Sequence, residues 1–133
     1  MTTMVGIVLI SHSSGLAEGA AQLAEQVGRG ARVVPAGGTD DGRLGTSTER
    51  IAAAIDAADA GAGVLLIPDL GSSVLSARSV LADLDPEDGG VQIRLADAPF
   101  VEGAIAAAVA ASGGLDLATV ATAAEEARDA RKL

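Results

Sequence analysis

The sequence predicts one α/β domain over residues 1–133: a doubly wound, mostly parallel four-stranded sheet in the order 2-1-3-4, helices on both faces and two helices at the carboxyl end. Two observations predict it. Four short apolar runs rich in β-branched residues alternate with segments of helical spacing, which calls for right-handed crossovers between parallel strands. Two of those runs are almost continuously apolar, as strands covered on both faces are.

The first run, MVGIVLI (4–10), is one of these two and reads as a central strand. After the Ser-Ser-Gly turn, Leu16, Ala20, Leu23 and Val27 recur at helical spacing and form the expected buried stripe of the first helix. ARVVPA (31–36) is the second strand, and Thr46-Ser47-Thr48-Glu49 fits a capping box ahead of a helix marked by Ile51, Ile55 and Ala58. AGVLLIP (62–68) is the second continuous run and the third strand, followed by a stripe of Val74, Ala77, Leu81 and Leu84. VQIRLA (91–96) is the fourth strand. Val101, Ile105 and Val109 then mark a helix that stops at Gly113-Gly114, and Leu117, Val120, Ala121 and Ala124 mark the last, with Asp116 as its cap.

Composition narrows function. With 18 Asp and Glu against 9 Lys and Arg, the formal charge is −9, which repels a phosphate backbone and an anionic membrane surface, so neither nucleic acid nor membrane is an expected partner. The N-terminal MTTMVGIVLIS has no basic segment, and its apolar run is far shorter than the roughly 18 residues of a membrane span, so a cytoplasmic protein is expected. The absence of Cys removes disulfides, thiolate ligands and cysteine nucleophiles together.

In this topology ligands sit outside the carboxyl ends of strands 1 and 3. The loop after strand 1 is Ser11-His12-Ser13-Ser14-Gly15 and holds the only histidine of the chain; the loop after strand 3 is Pro68-Asp69-Leu70-Gly71-Ser72-Ser73. His12 and Asp69 thus leave neighbouring strands at one edge, where a carboxylate can fix the ring tautomer and leave the other nitrogen free to attack phosphorus. The hydroxyls of Ser13, Ser14, Ser72 and Ser73 and the helix-opening amides, including that of Gly71, are the candidate phosphate ligands. Each serine is equally able to act as a helix cap, and so is Asp69. The glycine-rich third loop, Gly37 to Gly45, lacks the spacing of a nucleotide cradle and carries Asp40 and Asp41; Gly38 and Thr39 are read as a crevice wall or partner contact. A divalent metal between these aspartates and His12 has no recognised ligand spacing behind it, so no metal site is predicted.

Four collinear segments, GIVLISHSSGLAEG, GGTDDGRLGTSTERI, IPDLGSSVLSAR and APFVEGAIAAAVAASGG, resemble the phosphotransfer subunits of phosphoenolpyruvate-dependent dihydroxyacetone kinases, relatives of the EIIA domains of mannose-type sugar phosphotransferase systems. The likeness runs over about residues 4 to 125. It implies a single phosphocarrier domain and a phosphotransferase activity, in which His12 accepts a phosphoryl group from phospho-HPr and Asp69 orients it. The group then passes to ADP resident on the ADP-binding subunit of the kinase, so no cofactor is bound directly. It also implies a homodimer and, for a chain ending at Leu133, separate phosphoryl donors. A cation-free pocket with a low rim suits transient handling of phosphate by two partners in turn.

Three other readings stand beside it. An EIIA component of a sugar transporter would use the same chemistry. A small histidine-dependent tetrapyrrole chelatase also carries a histidine after strand 1, but the second histidine is missing. A flavin or nucleotide module would need stacking aromatics, and Phe100 is the only one.

Overall fold

The computed structural model describes residues 3–84 and 90–133; the first two residues of the N-terminal stretch read above for targeting signals lie outside them. Four strands, β1 (Gly6–Ser11), β2 (Val33–Gly37), β3 (Val64–Pro68) and β4 (Ile93–Leu95), form one sheet in the order β2-β1-β3-β4 with every pairing parallel. The expected topology holds. Helices α1 (Ser14–Val27), α2 (Thr48–Ala58), α3 (Gly71–Asp83), α4 (Phe100–Ser112) and α5 (Leu117–Glu126) complete the fold.

Side-chain alternation in the two central strands divides the core. Ile7 and Leu9 of β1 with Leu65 and Ile67 of β3 face α1, α4 and α5, whereas Val8 and Ile10 with Val64 and Leu66 face α2 and α3. All eight are fully buried. Each side chain of this kind contributes roughly 1.5–3 kcal/mol relative to exposure, so these two strands anchor the sheet.

The helices lie where the spacing puts them, but two of them turn a different face inward. In α1 the buried residues are Ala17, Ala20, Ala21 and Ala24, while Leu16, Leu23 and Val27 are 46–50% exposed. In α4 Gly103, Ala104, Ala107, Ala108, Ala110 and Ala111 point inward; of the expected stripe Ile105 is partly buried against the core, and Val101 and Val109 are exposed. The cause is close approach. A Cβ on Gly28, just past α1, would lie 2.5 Å from the carbonyl carbon of Ala108, so only small side chains fit between these helices. In α3, Val80 rather than Leu84 joins Ala77 in the core.

The caps also differ in detail. Ser47, not Thr46, caps α2 by accepting from the Arg50 N–H at 3.2 Å, because the Thr46 hydroxyl is engaged 2.6 Å from Ser76 Oγ on α3. Asp116 caps α5 as expected, accepting the Thr119 N–H at 2.9 Å. No helix among the described residues is long and apolar enough to cross a membrane.

Candidate active site

Strands β1 and β3 are hydrogen-bonded neighbours and end side by side, Ile10 opposite Pro68, so the residues that follow them meet at one edge of the sheet. The Asp69 N–H bonds the Ile10 carbonyl at 2.9 Å and fixes the second loop against the first. Across this junction His12 Nδ1 lies 3.0 Å from Asp69 Oδ1. The His12 side chain is 27% exposed and that of Asp69 only 8%, so the acid lies under a ring that opens to solvent.

Asp69 is held from several sides. Its Oδ2 accepts the Ser11 hydroxyl at 3.0 Å and the His12 backbone N–H at 3.1 Å; its Oδ1 accepts the Leu70 N–H at 2.7 Å and lies 3.0 Å from Ser73 Oγ. Burial pushes the carboxyl up, but the His12 backbone N–H, the Ser73 and Ser11 hydroxyls and the His12 ring outweigh it and hold the carboxyl below its usual range. It is therefore a carboxylate near neutrality. A carboxylate only accepts, so Nδ1 carries a proton, and in the neutral ring Nε2 bears the lone pair. The Ser72 hydroxyl, 2.6 Å from Nε2, then donates to it.

The serines named from the sequence take different stations. Ser13 caps α1, its hydroxyl accepting the Leu16 N–H at 3.2 Å. Ser14 opens α1 and is exposed, as are Gly71 and Ser72 at the start of α3; of these, Ser72 reaches the ring. Ser73 is different: it is fully buried, and its hydroxyl is turned to Asp69 and to the Leu70 carbonyl at 2.7 Å. It has no surface to offer a phosphate. The reason is helical geometry, since Ser72 and Ser73 project about 100° apart around α3. Ser11, passed over in the sequence, is also fully buried, and its hydroxyl accepts the Ser13 N–H at 3.0 Å as well as donating to Asp69. A polar residue closing an otherwise apolar strand is the one signal that points to it.

Gly38 and Thr39 begin the loop that follows β2, on the other side of β1 from β3. The Gly38 N–H bonds the Ser11 carbonyl at 3.1 Å with φ of 76°, a conformation that favours glycine. Farther on, the Gly45 N–H bonds the His12 carbonyl at 2.8 Å, and Thr46 reaches Ser76 on α3. The loop is thus tied to both halves of the site. Its aspartates are paired: Asp41 with Arg43 of the same loop at 3.1 Å, and Asp40 with Arg50 of α2 at 3.3 Å and the hydroxyl of its cap Ser47 at 2.9 Å. Among the described residues no group of three His, Asp or Glu side chains is arranged to hold a metal ion.

A family model described as the PTS system fructose IIA component, EIIA-man, matches residues 6–121. The chain is 37% identical over 133 residues to the PEP-dependent dihydroxyacetone kinase phosphoryl donor subunit DhaM of Providencia stuartii, covering 97% of this chain and 28% of that protein. It thus spans little more than a quarter of that relative's length. A shorter relative, phosphoryl donor subunit DhaM of PEP-dependent dihydroxyacetone kinase 2 from Listeria innocua, is 41% identical over 107 residues, covering 80% of this chain and 85% of its own. Among solved structures, that of the unknown function protein EF1359 superposes with a TM-score of 0.82 at 35% identity, covering 93% of this chain and 95% of the other.

Proposed function

The chain belongs to the EIIA-man family, and from that premise we propose that it is a phosphohistidine carrier, the phosphoryl donor subunit of a phosphoenolpyruvate-dependent dihydroxyacetone kinase. His12 Nε2 is the nucleophile. Its lone pair attacks the phosphorus of phospho-HPr as the donor P–N bond breaks, and the proton stays on Nδ1. Asp69 orients the ring and balances the positive charge that develops on it. In the second half-reaction a terminal oxygen of ADP, held on the ADP-binding subunit, attacks the same phosphorus; the P–N bond to Nε2 breaks and ATP forms. No cofactor needs to reside on this chain. Transfer in both directions depends on positioning and on donors around the phosphoryl oxygens, for which Ser72, Ser13, Ser14 and the Gly71 amide are the proposed groups.

One observation carries this reading: Nδ1 is committed to Asp69 at 3.0 Å while, among the described residues, Nε2 meets only an exposed serine hydroxyl. The neutralised loop containing Gly38 and Thr39 supports a role in contacting both protein partners, and a cytoplasmic homodimer fits the family. The relatives' printed role as phosphoryl donor subunits favours the kinase; the fructose IIA description of the matching family model favours a sugar transporter component as the second reading.

The test is phosphorylation with phosphoenolpyruvate, enzyme I and HPr. The proposal expects an acid-labile, alkali-stable phosphate on the wild type and none on His12→Ala. Equal labelling of the two proteins overturns it. Passage of the label to ADP on the kinase subunit, rather than to a sugar transporter domain, separates the two readings.

A further inference from the structure

We propose that Ser11 is a positioning residue for His12, holding the acid and the turn that together present the imidazole. Its hydroxyl contacts a group on each side of His12. It donates to Asp69 Oδ2 at 3.0 Å, the carboxylate that binds the ring, and accepts the Ser13 N–H at 3.0 Å, which closes the turn from β1 into α1.

The division of the carboxylate gives this contact its meaning. Among the described residues Oδ2 takes only Ser11 and the His12 backbone N–H, and Oδ1 is the oxygen that meets Nδ1. A carboxylate turns easily about its last bond, and without the Ser11 hydroxyl Oδ2 keeps one donor. Ser73 cannot fully substitute, because its single proton is shared between Asp69 Oδ1 and the Leu70 carbonyl. Burial sharpens the point. Ser11 is 0% exposed at the end of a strand whose preceding residues Ile7, Val8, Leu9 and Ile10 are all buried and apolar. Placing a hydroxyl there is costly unless it is bonded, and a small apolar residue would fill the position without that cost. What the hydroxyl adds is a fixed acid and a fixed turn.

The inference rests on the phosphocarrier reading for its consequence, but its first measurement does not. His12 is the only histidine in the chain, so the imidazole 15N resonances of the unphosphorylated protein report this one ring without assignment. The wild type is expected to show a single Nδ1–H tautomer. Ser11→Ala, with its fold verified by circular dichroism, is expected to show mixed tautomers and roughly tenfold slower phosphorylation by phospho-HPr; Ser11→Thr, which keeps the hydroxyl, restores both. An unchanged His12 pattern in folded Ser11→Ala overturns the proposal whatever the transfer rate. Should Ser11→Ala fail to fold, Ser11→Cys, of similar volume but a weak donor, carries the same readouts. Failure of the wild type to accept phosphate from HPr would overturn the phosphocarrier reading and leave the tautomer result standing.

Discussion

Ser72 Oγ stands 2.6 Å from His12 Nε2, on the opposite edge of the ring from Asp69. The nitrogen proposed to attack is therefore covered by a hydroxyl in the resting protein, and that hydroxyl must swing aside before a phosphorus can approach. Once the phosphoryl group is on Nε2, the same O–H can donate to one of its oxygens. A hydrogen bond to a charged oxygen is worth about 1.5–3 kcal/mol against 0.5–1.5 for a neutral one, so the gain after transfer exceeds the loss before it. Ser72→Ala is accordingly expected to slow phosphorylation about fivefold, not to speed it. Rapid-quench measurement of the labelled fraction decides the sign.

Asp69→Asn keeps the shape of the side chain and removes its charge. An amide can present either a donor or an acceptor to Nδ1, so the ring tautomer is no longer dictated and the developing positive charge is unbalanced. The expected loss in transfer rate is on the order of 10²-fold, less than in a sealed triad because the His12 ring is 27% exposed. A folded Asp69→Asn protein with wild-type transfer would remove Asp69 from the mechanism.

Acid should weaken the fold through the same residue. The Asp69 carboxyl is held below its ordinary value of 3.8, burial opposing and the surrounding donors prevailing. A group depressed in the folded state contributes stability above its unfolded pKa and loses that contribution as pH falls through the folded one. Urea unfolding followed by circular dichroism should therefore show wild type losing stability below about pH 4. Asp69→Asn should lack that component of the loss.

Gly37 closes β2 directly beneath the turn that carries His12. A Cβ there would lie 2.5 Å from the Ser13 carbonyl oxygen and 2.9 Å from Ala17 Cβ, backbone and core rather than a flexible tip. Gly37→Ala is expected to lower stability by about 1–3 kcal/mol as an overpacked contact. Because the strain falls on the start of α1, phosphorylation should slow as well. A urea midpoint equal to wild type would contradict the close approach.

Sheet order and the meeting of His12 with Asp69 were legible because both follow from a topological rule: neighbouring parallel strands release their loops at the same edge. The inward faces of α1 and α4 were not. Hydropathy draws a stripe through Leu16, Leu23 and Val27, or through Val101 and Val109, since large aliphatics outweigh alanine in such a pattern. Close packing reverses the choice: Gly28 lies against Ala108 and Gly37 against Ala17, and at that distance alanine is what fits. The part played by Ser73 was hidden for a related reason. Adjacent residues in a helix face different ways, and which of Ser72 and Ser73 reaches the crevice depends on where α3 begins.

The loop from Gly38 to Thr46 is fastened to the Ser11 carbonyl, to the His12 carbonyl through Gly45, and to α3 through Thr46 and Ser76. Leu44, 80% exposed, directly precedes Gly45, so a contact made there bears on the peptide that carries the imidazole. Should a partner touch the loop, it takes hold of His12, the residue proposed to react, by its backbone, and its grip and the aim of the ring become one mechanical variable.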